Sequence, residues 1–366
     1  MADPRVENLA RLVSDYCIDV RKGDEVLISA GVEALPLVRE LYRRVLERGG
    51  IPFVHLSDDA IREIHFKYAS EEQLRIVSRI EEFMARNFEC QVSIISSSHA
   101  KPLIGIDPER LRISSGARKK LTEIFMERHA KRELRWNVTI YPTMALAQEA
   151  GMGPMEFEEF VYKACMVDGG DPLKRWREKA EEQEKIAQVL NKVDELRFKS
   201  PDMDMVIKVG GRRWINDDGH YNMPAGEVFT GPVEDSADGY VRFSYPAVWR
   251  GIEVEDVRLT FRRGVVVEAK AGKGEEHLRK LLETDEGAKR LGELAFGLNY
   301  HITRHTKLIL FDEKIGGTIH MALGASYPDT GGRNKSAIHW DLIADMSKGR
   351  VYADEDLIYE NGRFLV

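Results

Sequence analysis

The segment Ser336-Ala337-Ile338-His339-Trp340-Asp341-Leu342-Ile343 alternates apolar with polar residues, so in a strand His339 and Asp341 point to one face. An imidazole beside a carboxylate suits a borderline or hard divalent cation, although a buried His-Asp hydrogen-bonded pair would use the same spacing. Upstream, Leu308-Ile309-Leu310-Phe311 reads as a buried strand running into Asp312-Glu313, and His320 follows a Gly316-Gly317 turn. Acids and an imidazole on either side of such a turn can converge on one point; a histidine satisfied within the core is the alternative. Glu227, in Asn222-Met223-Pro224-Ala225-Gly226-Glu227-Val228-Phe229-Thr230, sits between a Pro-Gly turn and an apolar strand start. It is either a site carboxylate or an acid accepting backbone N–H bonds in the turn. His301 and His305 stand four apart, but the residues around them read as a loop, and His220 beside Asp217 and Asp218 reads as a hairpin tip.

Other chemistries lack their signatures. No His-Glu-x-x-His pair, Walker-type glycine loop or Gly-x-Ser-x-Gly elbow occurs, and Gly151-Met152-Gly153 lacks the third glycine of a dinucleotide loop. A net charge of -7 argues against nucleic acid as a partner, so the short basic runs Arg118-Lys119-Lys120 and Lys131-Arg132 read as solvated helix faces. No apolar stretch is long enough to span a membrane, and the polar, acidic start from Met1 to Glu7 carries no export pattern. Cys17, Cys90 and Cys165 are odd in number and widely spaced, which predicts reduced thiols rather than a disulfide framework or thiolate metal site. A cytoplasmic location is expected.

The elements that must position these residues fall into two patterns. β-type runs at Glu25 to Ala30, Ile51 to Leu56, Cys90 to Ser96 and Trp136 to Tyr141 alternate with helical patterns at Ala34 to Arg48, Glu71 to Arg86 and Ser115 to Arg128. That alternation predicts an α/β N-terminal domain, residues 1-198, with a sheet covered by crossover helices and a long charged helix from Pro172 to Phe198 that links the two lobes. After Pro201 come short alternating runs, Met205 to Val209, Gly239 to Ser244, Val257 to Arg262 and Val265 to Ala271, with helices predicted over Gly274 to Leu282 and Glu286 to Gly297. The second domain, residues 199-366, is expected to be α+β, β-rich and metal-binding, because six of the ten histidines lie in this half.

Four stretches, NMPAGEVFTGP, GELAFGLN, LFDEKIGGTIHMALGASY and SAIHWDLI, occur in order in the second half, and with them the chain resembles the aminopeptidase T and aminopeptidase S family of metallopeptidases. The resemblance implies metal ligands at Glu227, Glu293, Glu313, His320, His339 and Asp341, with Tyr327 beside the metals. Between Glu313 and His320 lie six residues, Lys314 to Ile319, where several relatives have four.

Such a family implies hydrolysis of the N-terminal residue from peptides with a free N-terminus, and a homodimer. Four carboxylates and two imidazoles balance two divalent ions if a carboxylate bridges them; zinc, cobalt and manganese all suit the donor set. Glu293 is the expected general base, with Glu313 as its rival, and Tyr327 the expected oxyanion donor. A metal-dependent hydrolase of another amide or dipeptide, and a non-catalytic metal-stabilised binding protein, are the competing readings.

Overall fold

Four of the β-type runs form parallel strands. In the computed structural model, which describes residues 3–249 and 251–365, Ile51–Ser57, Glu25–Gly31, Cys90–Ile95 and Arg135–Ile140 pair side by side in that order. The two-residue strand Asn222–Met223 pairs in parallel with the last. Val26, Leu27 and Ile28 are all buried, as expected of a strand covered on both faces. The helix Leu35–Glu47 buries Leu37, Val38, Leu41 and Val45, the three- and four-residue spacing of an amphipathic stripe.

Two predicted helices are interrupted. The Glu71 to Arg86 pattern breaks into Glu71–Arg75 and Arg79–Asn87, because Ser70 and Ser78 each close a capping box with the residue three positions on. The Ser115 to Arg128 pattern likewise falls across Pro108–Ala117 and Lys119–Ala130. The charged helix stops at Leu190, and Glu195–Ser200 is a strand in which Leu196 and Phe198 are buried two apart. Period two, not 3.6, governs that stretch.

Contacts divide the chain into two compact units. One holds the chain up to Arg175 together with Gly219–Pro224; the other holds Trp176–Asp218 and the chain from Ala225 onward. The dividing point lies near the start of the Pro172–Leu190 helix, where the sequence pattern predicts residue 198. Met1 and Ala2 of the polar start lie outside the described residues.

Among the described residues the second unit contains two large antiparallel sheets and a two-stranded one, Ala247–Trp249 with Ile252–Val254. Eight strands run in the order Val265–Lys270, Val257–Arg262, Asp238–Phe243, Met203–Lys208, Glu195–Ser200, Arg350–Ala353, Asp356–Glu360 and Arg363–Phe364. Five others run His339–Asp345, Thr318–Gly324, Leu291–Gly297, Glu227–Thr230 and Ile215–Asp217. One continuous core includes Phe198, Val241 and Leu259 from the larger sheet with Phe296, Met321 and Leu342 from the smaller.

Two predictions in this half are corrected. Glu286 to Gly297 is a 3-10 turn, Glu286–Lys289, followed by the strand Leu291–Gly297. All seven residues of that strand are buried, so it shows no polar alternation to distinguish it from a helix. Leu308 to Phe311 is not a strand but leads into a single helical turn, Ile309–Asp312. The three cysteines are buried thiols, and among the described residues no helix is long and apolar enough to cross a membrane.

Candidate metal centre

Pleating assigns every second residue of the five-stranded sheet to the core and leaves the others on one shared face. Leu294 and Phe296, Ile319 and Met321, and Trp340 and Leu342 enter the core. Glu293, His320, His339 and Asp341 occupy the alternate positions. Glu293 pairs with Ala322, and Ala322 with Asp341, so one row across three strands carries a carboxylate at each end and a methyl between. Glu227 pairs with Gly297 on one side and with Asp217 on the other. A side chain at Gly297 would meet the Ile315 carbonyl oxygen at 2.2 Å, so this close approach requires glycine.

The two imidazoles are oriented by backbone carbonyls. Nδ1 of His320 lies 2.9 Å from the Glu313 carbonyl oxygen, and Nδ1 of His339 lies 2.8 Å from that of Ala325. A carbonyl only accepts, so each ring donates Nδ1–H, and the neutral ring turns an Nε2 lone pair toward the carboxylates. Nε2 of His320 is 3.1 Å from Glu293 Oε1, and Nε2 of His339 is 3.4 Å from Glu293 Oε2 and 3.5 Å from Asp341 Oδ1. Lone pairs facing one another at these distances require a cation, either protons on the rings or a metal ion. Glu227 Oε2, Glu293 Oε2 and Asp341 Oδ1 are buried without a hydrogen-bond partner.

Protonation alone meets that requirement only by displacing the histidines far from their ordinary range. Burial works against the charge on His320, but Glu293 and Glu227 outweigh it and push its pKa up to about 10. His339 is likewise opposed by burial and pushed up to about 12 by Asp341 and Glu293. Asp341 goes the other way, to about 2, because His339 outweighs its burial. Acids and imidazoles buried together displace one another in this way, and a divalent ion among them would take the place of the protons. Two overlapping groups bring their donor atoms within 4.8 Å of one another: Glu293, His339 and Asp341, and Glu313, His320 and Asp341.

Two charged residues join the cluster without having stood out as site residues in the sequence. Lys314 is fully buried, hydrogen-bonds Glu313 Oε1, and places Nζ 3.4 Å from Glu227 Oε1 and 3.7 Å from Asp217 Oδ2. Burial disfavours its charge, but the carboxylates of Glu227, Glu313 and Asp217 prevail and raise its pKa. Glu227 remains well above the carboxylate range, first through burial and then through repulsion by Glu313 and Asp217, which Lys314 and His320 only partly offset. Asp217 enters through its antiparallel pairing with Glu227, which the sequence does not show, and nothing in Glu313-Lys314 distinguishes Lys314 from half of a surface ion pair.

The residues predicted from the sequence are placed as follows. Glu227, Glu293, Glu313, His320, His339 and Asp341 come together, and the Tyr327 ring packs edge-on against His339 with centroids 5.1 Å apart. His305 does not join them. Its Nε2 meets Asp312 Oδ2 at 3.1 Å, and its ring stacks on Tyr245. His301 follows the buried turn at Asn299, and His220 belongs with Tyr16 to the first unit, where their rings are in contact. His339 and Asp341 line a cavity of about 130 Å³ whose wall mixes apolar residues, among them Trp249, Ile309 and Ile343, with His305, Lys307 and Asp312.

Known proteins resemble the chain over nearly its whole length. The family described as Thermophilic metalloprotease (M29) matches residues 2–364. Aminopeptidase T of Thermus thermophilus is 30% identical over 392 residues, covering 98% of this chain and 95% of that protein. Aminopeptidase AmpS of Bacillus subtilis is 27% identical, covering 98% of each. The solved structure of wild-type AmpT from Thermus thermophilus superposes with a TM-score of 0.88 at 27% identity, covering 99% of both chains.

Proposed function

The chain belongs to the M29 family of thermophilic metalloproteases, and from that premise we propose that it is a metal-dependent aminopeptidase using two divalent ions to remove the N-terminal residue of peptides. One observation carries the reading: two imidazoles and three carboxylates turn unshared lone pairs toward a common space, where only a cation can reconcile them. His339, Glu293 and Asp341 would hold one ion; Glu313 and His320, with Asp341 shared, the other, and Glu227 completes the set. When bound, zinc, cobalt or manganese would lower the pKa of a water, polarise the scissile carbonyl and stabilise the charge that develops on it.

The chain's own groups do the rest. Glu293, between both histidines, takes the proton from the attacking water and returns it to the leaving amine. Tyr327, packed on His339, donates its phenolic hydrogen to the developing oxyanion. The substrate's free amine would bind at a metal position or to a nearby carboxylate, which favours peptides with an unblocked N-terminus. The neighbouring cavity receives a side chain.

Hydrolysis of aminoacyl p-nitroanilides tests this directly. Chelated protein should be inactive, restored divalent metal should recover turnover, and N-acetylated substrates should be cleaved at least about 100-fold more slowly. Equal cleavage of blocked substrates would remove the exopeptidase reading, and activity indifferent to chelation would remove the metal.

We also place the protein in the cytoplasm as a homodimer. The three buried thiols suit a reducing compartment. The edge strand Ile51–Ser57 exposes Ile51, Phe53 and Leu56 beside unpaired backbone, and edges of that kind pair or aggregate unless covered. Sedimentation at micromolar concentration should give twice the chain mass, and Phe53→Glu should shift it toward one. A wild-type monomer would end the expectation.

A further inference from the structure

Lys314 is the only lysine among the largest fully buried side chains of the described residues, and its ammonium lies within 4.0 Å of three carboxylates, those of Asp217, Glu227 and Glu313. An ammonium has three hydrogens and no acceptor. Here they face Asp217, Glu227 and Glu313 from three separate segments: the Ile215–Asp217 strand, the Glu227–Thr230 strand and the turn after Ile309–Asp312. A solvated lysine would gain nothing from this placement, and a lysine serving only to pack would not be matched to three acids. Its position within the cluster is also one-sided. Its direct contacts are with Glu313, a member of one candidate donor group, and with Glu227 and Asp217; of the Glu293, His339 and Asp341 group its charge is felt at Asp341, which both groups share.

We propose that Lys314 is a built-in counter-cation that separates the two metal positions in affinity, so that the group of Glu293, His339 and Asp341 fills first and that of Glu313, His320 and Asp341 fills second and more weakly. This rests on the two-ion reading above. A fixed positive charge repels an incoming divalent ion in proportion to proximity, and low-dielectric surroundings enlarge the effect. It also ties up one oxygen of Glu313 and one of Glu227 that would otherwise be offered to the second ion. In return it holds those carboxylates in place while the second position is empty, where uncompensated acids would repel one another. Five carboxylates with one ammonium carry a formal charge of −4 when both imidazoles are neutral, so the pair of ions is balanced only once both are bound.

Titration of chelated protein with Co²⁺, followed by calorimetry and by the visible absorption of the bound ion, reads the two steps separately. Wild-type protein should bind two ions in resolved steps. In Lys314→Met and Lys314→Gln the second step should tighten by roughly ten- to a hundredfold, the first changing less, and the metal-free melting temperature should fall. Lys314→Arg, which keeps the charge, should retain the wild-type separation. Glutamine preserves hydrogen bonding without charge, so it distinguishes an electrostatic role from one of positioning: wild-type affinity in Lys314→Gln would overturn the proposal. So would a weakened second step in both neutral variants, or failure of both to fold with excess cobalt, since Lys314 would then be a structural counter-ion only. If wild-type protein bound no cobalt, the metal-centre reading itself would fall, which is a different result.

Discussion

Replacing Glu293 with glutamine is expected to lower kcat/KM by roughly 10³ or more, about 4 kcal/mol of transition-state stabilisation, the largest loss of any single isosteric change in the chain. The reason lies in where the side chain sits. Oε1 faces Nε2 of His320 and Oε2 faces Nε2 of His339, so Glu293 is the carboxylate that touches both imidazoles. An amide keeps the volume but replaces one lone-pair oxygen with a donor, which then points at a ring nitrogen or at a cation. Burial raises the Glu293 pKa, but the hydrogen bonds and charges of His320 and His339 more than reverse it, so the group is held as an anion. By contrast, Tyr327→Phe removes one donor to the oxyanion and should cost roughly 10² to 10³. Measuring metal content alongside kcat/KM separates the causes. Glu293→Gln should keep at least one ion through Glu313, His320 and Asp341 while losing turnover. Activity within tenfold of wild type would remove Glu293 from the proton path.

How much of this could be read from the sequence depended on which physical signal each element carried. The parallel sheet was legible because its strands and helices alternate in distinct periods. His339 and Asp341 were legible because a two-residue spacing within an alternating strand puts both on one face whatever the strand pairs with. Glu293 was not. It lies in a strand buried along its whole length, where apolar neighbours on both sides erase the period, and only the resemblance of GELAFGLN to a known family marked it. The four apolar residues at Leu308 to Phe311 were too few to separate a strand from a helical turn. Asp217 and Lys314 acquire meaning only from pairing and burial. Asp217 matters because antiparallel register sets it opposite Glu227, and Lys314 because the turn after Asp312 carries it inward rather than toward water. Local sequence encodes neither.

Stability in the presence and absence of metal should diverge as pH rises, and this follows from the same lone pairs. Without a divalent ion the cluster is held by protons on His320 and His339, with folded-state pKa values pushed up to about 10 and 12 by their carboxylate neighbours against the opposing effect of burial. In the unfolded chain an imidazole titrates near 6.5. A group whose pKa is raised on folding contributes stability that is complete below its unfolded value and is lost progressively as pH approaches the folded one. Glu227, raised by burial, acts in the same direction from the carboxylate range upward. Metal-free protein should therefore lose melting temperature steadily above about pH 6.5, from the histidines alone. Divalent ions take the place of those protons, so metal-loaded protein should show a much flatter profile over the same range, and loading should release protons into a weakly buffered solution. At a free-ion concentration about 1,000 times the dissociation constant, binding adds about 4 kcal/mol to the folded state, enough to move the transition by many degrees. Differential scanning calorimetry of chelated and loaded protein from pH 6 to 10 provides the measurement. Parallel curves, or a metal-free form that gains stability with pH, would mean that the imidazoles and carboxylates are satisfied by local hydrogen bonds and that no cation holds them together.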